Sequence, residues 1–243
     1  MRAFLLCAGV GSRLRPITDH VPKCLVPICG EPLLAIWLRM LDRAGIERFL
    51  INTHHKAEAV ERFVADHPLR ERIDLVNEPE LLGTGGSLRA YRRWFGDQPA
   101  IIAHADNLSL CDFSEFIATH RRRRAGTIVT MMTFTTDTPE SCGIIDLSPD
   151  GAILSYREKE KGVTGTLANA AVYVAEPEFL DQVAGLEAPA PDISPDISRD
   201  VIPAMLERTH TFFNAVYHRD IGTPESYAIA QQDYRRYLDG LNG

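Results

Sequence analysis

The sequence predicts an α/β fold in which a mainly parallel sheet carries helices on both faces. Short apolar runs typical of buried strands alternate with stretches whose apolar residues recur at helical spacing. The first run, residues 2–8, ends in small residues and leads directly into a glycine-rich loop. Strands and helices that alternate at this pitch favour parallel strands joined by crossover helices. The length of 243 residues suits one domain, or one domain with a small appendage.

The first half of the chain shows this alternation most clearly. A helix over 30–45 is indicated by apolar residues three and four apart, with Pro32 in its first turn and Gly45 at its end. The other elements expected here are strands over 48–53, 73–76 and 100–103, and helices over 56–65 and 84–95.

In the part of the chain that follows Asp106, strands and helices alternate less regularly. Two apolar runs, 143–147 and 153–158, flank a Pro-Asp-Gly turn and predict a hairpin. Thr223 and Pro224 are typical of a helix start. The remaining expected elements are helices over 113–123, 197–208 and 224–238, strands over 127–134, 168–174 and 211–217, and a loop over 187–195.

Composition narrows the class of protein. Hydrophobic residues make up 45% and charged residues 24%, as in soluble globular domains, and a net charge of -7 argues against binding to nucleic acid. No apolar run is long enough to span a membrane, and Met1 leads into a strand and not into a signal peptide. Five scattered cysteines form no C-x-x-C pair, so we expect a cytoplasmic protein without a membrane partner. The sequence leaves the oligomeric state open, a homo-oligomer included.

The loop after the first strand has the properties of a polyphosphate site. Gly9 and Gly11 let backbone N–H groups approach phosphate, and Arg13 and Lys23 add positive charge. Open α/β sheets bind ligands at the carboxyl ends of their strands, where this loop lies. Leu14 stands where a dinucleotide fingerprint needs its third glycine, and the Gly-Lys-Ser/Thr of a P-loop is absent.

The string G-x-G-x-R-x-x-P-x-T followed by P-K, from Gly9 to Lys23, resembles the sugar-1-phosphate nucleotidyltransferase family. The resemblance extends in order through five motifs to about Tyr227. It implies a Rossmann-like α/β/α sandwich with a mixed, mainly parallel central sheet, of the GT-A-like nucleotidyltransferase type. It also implies a single domain over 1–243, with a nucleotide-binding half of about 1–110 and a sugar-binding half of about 111–243. No hexapeptide repeat is present, so the C-terminal β-helix of some relatives is expected to be absent.

The resemblance assigns roles to the residues of this loop. Arg13 and Lys23 would be catalytic, with Arg13 on the β- and γ-phosphates and Lys23 stabilising the charge that grows at the α-phosphorus. Gly83 and Thr84 begin a helix, a ready site for the base and ribose edge. The nucleotide-binding residues expected from the first strand and its loop are Ala8, Gly9, Gly11, Ser12 and Arg13.

Two aspartates far apart in the sequence resemble the family's metal ligands. Asp106 lies in His-Ala-Asp-Asn, where the family has Gly-Asp, and Asp220 lies in Asp-Ile-Gly-Thr. Together with phosphate oxygens they would hold Mg²⁺, which prefers oxygen and takes few protein ligands. The alternatives are a turn aspartate at 106 and a helix-cap role for Asp220. Asp112 is interpreted as a helix cap and not as a further ligand.

A third set of motifs resembles the family's sugar-phosphate site. Glu158 and Lys159 match its Glu-Lys pair, although Glu160 replaces the following proline. Asn169 matches an asparagine that binds sugar hydroxyls, and Gly143 matches a sugar-facing turn. The alternative for residues 157–161 is a solvated string of charges.

Glu78 precedes the helix start at Gly83 and is the candidate for reading the base. Guanine presents two adjacent donors, N1–H and the N2 amino group, and a carboxylate is acceptor-only. The residue therefore resembles that of mannose-1-phosphate and heptose-1-phosphate guanylyltransferases, although some uridylyltransferases also carry Glu there. The alternative is that Glu78 faces solvent beside Pro79.

The expected function is transfer of a nucleoside monophosphate from an NTP to a sugar 1-phosphate, with Mg²⁺ as cofactor. GTP and a mannose- or heptose-type sugar are favoured. Three alternatives stay open. They are uridylyl or thymidylyl transfer to another sugar 1-phosphate such as that of N-acetylmuramate or glucose, transfer to a non-sugar phosphate, and a non-catalytic relative that binds an NDP-sugar.

Overall fold

The computed structural model describes residues 1–186 and 195–242 and, within them, a mixed sheet of nine strands with helices on both faces. The strands are β1 (Arg2–Leu6), β2 (Pro27–Ile28), β3 (Glu31–Pro32), β4 (Arg48–Thr53), β5 (Ile73–Asn77), β6 (Ala100–His104), β7 (Asn107–Leu110), β8 (Val129–Thr135), β9 (Gly143–Leu147), β10 (Ile153–Glu158), β11 (Leu167–Ala175), β12 (Thr209–Phe213) and β13 (Tyr217–Asp220). The α-helices are α1 (Leu33–Arg43), α2 (Ala57–Ala65), α3 (Gly83–Ala90), α4 (Arg92–Phe95), α5 (Phe113–Arg121), α6 (Pro177–Gly185) and α7 (Pro224–Asn242).

The sheet has the order β10-β9-β11-β6-β1-β4-β5, with β8 pairing both β11 and β12. Its first half is parallel, since β1 pairs with β4 and β6, and β4 pairs with β5. Antiparallel pairing begins at β11, which runs against β6, β8 and β9. The predicted mixed α/β sandwich is therefore confirmed.

Each face of the sheet supports its own core. Alternate residues of a strand point to opposite faces, so Leu5 of β1 belongs to the core beneath α1, α2, α5 and α7. Phe4 belongs to the core on the other face, which includes Leu88 of α3 and Phe179 of α6. Because β1 is buried on both faces of the sheet, its sequence is a continuous apolar run.

The helix predicted over 30–45 begins only at Leu33, because Glu31 and Pro32 form β3 and not its first turn. Three further predicted elements differ from the structure in type or continuity. The expected helix over 84–95 is interrupted at Tyr91, which separates α3 from α4. The region 197–208 forms a π-helix followed by a 3₁₀ segment instead of an α-helix, because Pro203 in its middle lacks an N–H donor. The expected strand over 211–217 divides into β12 and β13 around a turn in which the Asn214 side chain accepts from Val216 N at 3.0 Å. The predicted loop over 187–195 lies, apart from Pro195, outside the described residues.

A short antiparallel ribbon that the sequence did not predict brings the chain end back to its middle. Strand β7 pairs with β13 so that Asp220 lies opposite Asn107. Strand β7 begins at Asn107, one residue after Asp106. This register places the two predicted metal ligands next to each other.

The helix caps expected at Asp112 and Thr223 are present in the structure. Asp112 accepts from the N–H groups of Ser114 and Glu115 at 3.0 and 3.1 Å, and Thr223 accepts from Ser226 N at 3.2 Å. No helix within the described ranges is long and apolar enough to cross a membrane.

Candidate active site

The glycine loop after β1 is tightly folded. Gly11 has a φ of 68°, and a Cβ placed there would lie 3.0 Å from Thr18 Cγ2 and 3.1 Å from Lys23 Cβ. The Thr18 hydroxyl also donates to the Gly11 carbonyl at 2.8 Å. Glycine is therefore needed at position 11 both for its backbone conformation and for close packing. This packing brings Lys23 beneath the loop that carries Arg13.

Lys23 joins the two aspartates. Its Nζ lies 2.9 Å from Asp106 Oδ2 and 3.1 Å from Asp220 Oδ1, and the side chain is 5% exposed. Arg13 approaches the same group, with its guanidinium 3.4 Å from Asp220 Oδ2. Asp220 Oδ1 also accepts from Gly222 N at 2.8 Å. The structure thus brings together four of the predicted site residues, which the sequence separates by up to 207 positions.

The charges of this group are mutually stabilised. Burial by itself lowers the pKa of Lys23, but the charges of Asp106 and Asp220 and their hydrogen bonds outweigh it, so the pKa is raised above its ordinary value. Burial opposes ionisation of Asp106, yet Lys23 and His104 lower its pKa below the ordinary value. The lysine is therefore a cation and Asp106 an anion at neutral pH.

The aspartate pair fits a magnesium ion bound together with phosphates. Both carboxylates already converge on one cation, the Lys23 ammonium. Within the described part of the chain, no group of three or more His, Cys, Asp or Glu side chains is arranged to hold a metal. A closed protein cage, as a structural zinc site requires, is therefore not formed there. Mg²⁺ commonly takes one or two carboxylates and completes its shell with water and phosphate oxygens.

A cavity of about 460 Å³, here called the carboxylate cavity, opens beside this pair. Residues from both halves of the chain face it, and eight of them were predicted as site residues. They are Arg13, Lys23, Asp106, Gly143, Glu158, Lys159, Asn169 and Asp220.

Glu158 and Gly143 form one wall of the carboxylate cavity. The Tyr156 hydroxyl donates to Glu158 Oε2 at 2.5 Å. A Cβ at position 143 would overlap both of these groups, so only glycine fits there. Lys159 has a φ of 50°, its Nζ lies 3.5 Å from Glu158 Oε1, and its side chain is 67% exposed. Glu158 is therefore held in place, and the interpretation of 157–161 as a merely solvated string does not apply to it.

Asn169 lies at the buried floor of the same cavity. Its Nδ2 donates to the hydroxyl of Tyr173 at 2.8 Å and lies 3.2 Å from that of Tyr156 and 3.3 Å from that of Ser198. Its Oδ1 accepts from Ala171 N at 2.8 Å. Of these hydroxyl-bearing residues, Ser198 also lines the cavity, whereas Tyr173 is fully buried. The sequence analysis missed Ser198 because nothing in the sequence links it with β11.

A second cavity of about 190 Å³, here called the Glu78 cavity, lies on the other side of Asp106. Glu78 is 2% exposed, so the alternative that it faces solvent is wrong. Gly11 and Ser12 do not line either of the two cavities, and their nucleotide contacts stay predictions. The predicted residues that do line the Glu78 cavity are Ala8, Gly9, Glu78, Gly83, Thr84 and Asp106.

Asp196, which the sequence analysis also missed, connects the walls of the two cavities. Thr84 Oγ1 donates to Asp196 Oδ2 at 2.9 Å and accepts from Ile197 N at 2.8 Å. Asp196 itself lines the carboxylate cavity, while Thr84 lines the Glu78 cavity. The spacing of the sequence contains no signal for this contact, because 112 residues separate the two side chains.

Two histidines next to the aspartates present unpaired nitrogens. His104 Nε2 and His218 Nδ1 are buried and have no hydrogen-bond partner among the described residues. Burial lowers the pKa of both, that of His218 to about 4, so both rings are neutral near pH 7. Both line the carboxylate cavity. A repeated His-x-Asp pattern, at Asp106 and at Asp220, was the sequence signal that could have found them.

The fold and the site together define an α/β protein in which two basic side chains and a pair of carboxylates meet beside a glycine loop. Residues 2–236 match the family model described as nucleotidyl transferase. The chain belongs to this nucleotidyl transferase family.

Curated relatives differ in the nucleotide that they are named for. The chain is 30% identical over 240 residues to mannose-1-phosphate guanylyltransferase of Mycobacterium tuberculosis, covering 96% of this chain and 64% of that protein. It is 27% identical over 230 residues to UTP--glucose-1-phosphate uridylyltransferase of Synechocystis, covering 88% of this chain and 57% of that protein. The chain thus spans less than two thirds of the length of either relative.

Solved structures show the same fold at lower identity. A crystal structure of HddC from Yersinia pseudotuberculosis complexed with GMP-PN has a TM-score of 0.76 at 23% identity, covering 96% of this chain and 99% of that chain. A Bacillus anthracis structure that carries the name of a glucose-1-phosphate thymidylyltransferase has a TM-score of 0.85 at 20% identity, covering 96% of this chain and 94% of that chain. At these identities the likeness concerns the fold alone.

Proposed function

We propose that this chain transfers a nucleoside monophosphate from an NTP to a sugar 1-phosphate, releasing pyrophosphate. The observation that carries the proposal is the position of Asp106, which lies between the two cavities and shares Lys23 with Asp220. A reaction that joins two phosphate-bearing substrates needs such a charged centre where they meet. Family membership and the names of the curated relatives support the same reaction class.

In this proposal each of the two cavities binds a different substrate. The base and ribose occupy the Glu78 cavity, formed mainly by residues 1–110, and the sugar phosphate occupies the carboxylate cavity, formed largely by residues 111–243. Lys159 lines the carboxylate cavity, and its ammonium carries the positive charge that an incoming phosphate needs. We place the reaction in the cytoplasm, where NTPs and free thiols are both available.

The chemistry requires alignment of charged groups and no protein base. The second pKa of a phosphate ester is about 6, so the acceptor is largely a dianion at neutral pH. One of its oxygens attacks the α-phosphorus, the new P–O bond forms, and the bond to the bridging oxygen of pyrophosphate breaks. Arg13 binds the leaving phosphates and Lys23 stabilises the charge at the α-phosphorus. Asp106 and Asp220 would hold Mg²⁺, which when bound neutralises phosphate charge.

For the finer specificity we propose GTP with a mannose- or heptose-type 1-phosphate. The buried carboxylate of Glu78 lines the base-sized cavity and suits a base edge that offers donors. A matrix of four NTPs against several sugar 1-phosphates, read by pyrophosphate release, tests both levels of the proposal. Preference for UTP or dTTP would contradict the guanine assignment. Binding of nucleotides without any release would favour the non-catalytic alternative.

Replacing Glu78 by glutamine is expected to reduce the preference for GTP over UTP by about tenfold, since the amide can no longer accept from both adjacent donors of guanine, while its donor and acceptor together match the edge of uracil. The measurement is kcat/KM for GTP and for UTP in the wild type and the variant. Glu80→Gln makes the same change at an exposed neighbouring position and serves as the control. An unchanged ratio in Glu78→Gln would remove Glu78 from base recognition.

Lys159→Ala is expected to raise KM for the sugar 1-phosphate by about tenfold and to leave KM for the NTP nearly unchanged, because the lysine lines only the carboxylate cavity of the two. Initial rates with each substrate varied in turn measure the two constants. Lys161→Ala, two residues away and exposed, is the matched control. An equal rise for both substrates would exclude a specific role in acceptor binding.

A further inference from the structure

Asn52 connects the end of the first strand with Glu78. Its Oδ1 accepts from Cys7 N at 2.7 Å, and its Nδ2 donates to Glu78 Oε1 at 3.0 Å and to Ser87 Oγ at 3.3 Å. Because a backbone N–H can only donate, the contact with Cys7 determines which end of the amide faces Glu78. Both amide hydrogens are therefore directed into the Glu78 cavity wall and not towards a ligand.

Ser87 completes this arrangement from helix α3. Its side chain is 1% exposed, and its hydroxyl donates to Glu78 Oε1 at 2.7 Å. The hydroxyl hydrogen and both amide hydrogens of Asn52 are thus all used inside the network. Glu78 Oε1 receives two of these bonds, whereas Oε2 receives none within the described ranges. The Glu78 carboxylate therefore keeps Oε2 as a free acceptor for a ligand.

We propose that Asn52 and Ser87 are positioning residues for base selection, because they orient the Glu78 carboxylate through Oε1 and leave its Oε2 as an acceptor for the base. This inference rests on the nucleotide site of the proposed function. Guanine can place N1–H and the N2 amino group against one carboxylate oxygen. Uracil and thymine would place carbonyl oxygens against lone pairs on either side of their single N–H. Adenine and cytosine offer an amino group beside an acceptor, and a carboxylate satisfies only half of that edge.

The test removes the hydroxyl of Ser87 and measures selectivity in two ways. Ser87→Ala is expected to lower the GTP-to-UTP ratio of kcat/KM by about tenfold, with a matching fall in the ratio of GMP and UMP affinities measured by calorimetry. Ser109→Ala is the matched control, since Ser109 is equally buried and lines neither cavity, and its hydroxyl bonds, among the described residues, only to Met132 Sδ at 3.6 Å. Asn52→Leu is expected to change the ratio in the same direction.

A double variant separates positioning from direct contact. If Ser87 acts through Glu78, Ser87→Ala in a Glu78→Gln background will change the ratio no further. Independent, additive effects would overturn the inference, and so would an unchanged ratio in Ser87→Ala or a wild type that binds UMP more tightly than GMP. Should Asn52→Leu fail to fold, Ser87→Ala decides alone. A guanine preference in calorimetry without pyrophosphate release would refute the proposed reaction but support this inference.

Discussion

Lys23→Ala is expected to lower kcat and kcat/KM together by about 100- to 1000-fold, the size of the loss when one group that stabilises transition-state charge is removed. The expectation follows from the position of Nζ, which lies between Asp106 Oδ2 and Asp220 Oδ1 at 2.9 and 3.1 Å. Steady-state rates of pyrophosphate release at saturating and limiting NTP measure both constants. An effect confined to KM for the NTP would assign Lys23 to ground-state binding instead.

Loss of Lys23 also removes the buried partner of two carboxylates, which destabilises a protein because the remaining charges are unpaired. Lys23→Met keeps most of the side-chain volume and separates loss of charge from loss of packing. Thermal melting of both variants with and without Mg²⁺ checks the fold. We expect added Mg²⁺ to raise the melting temperature of both variants more than that of the wild type, because the divalent cation replaces the missing positive charge.

Asp106→Asn and Asp220→Asn are each expected to lower turnover by about 100-fold or more, with the fold intact. The amide keeps the shape of the carboxylate and removes the negative charge that, in the proposed function, would hold Mg²⁺. The measurement is turnover over a range of Mg²⁺ concentrations, together with Mg²⁺ binding by calorimetry. Activity in each variant should need more Mg²⁺ than in the wild type.

Asp112→Asn is the control for this pair. Asp112 caps α5 through the N–H groups of Ser114 and Glu115, and asparagine caps a helix about equally well. Its turnover should stay near that of the wild type. Near-normal activity of Asp220→Asn would show that this residue is not a metal ligand.

The parts of the site that lie close together in sequence were predictable from it. Glycine in the loop between β1 and Lys23 is one such part, and at Gly11 the structure requires it because a Cβ would meet Thr18 and Lys23. The caps at Asp112 and Thr223 were likewise predictable, because a cap depends on residues within one turn. The segment 197–208 was misjudged because apolar spacing indicates a helix but does not show how Pro203 divides it into π and 3₁₀ turns.

By itself the sequence determined the alternation of strands and helices and singled out the glycine loop and the two aspartates, whose phosphate and metal roles are proposals. Only the tertiary structure decided that Asp106 and Asp220 share one lysine, because the β7–β13 register depends on pairing across more than a hundred residues. It also decided that Glu78 is buried and held by Asn52 and Ser87. Side-chain networks of this kind join separate strands and helices, and neither periodicity nor local propensity contains information about which of them meet.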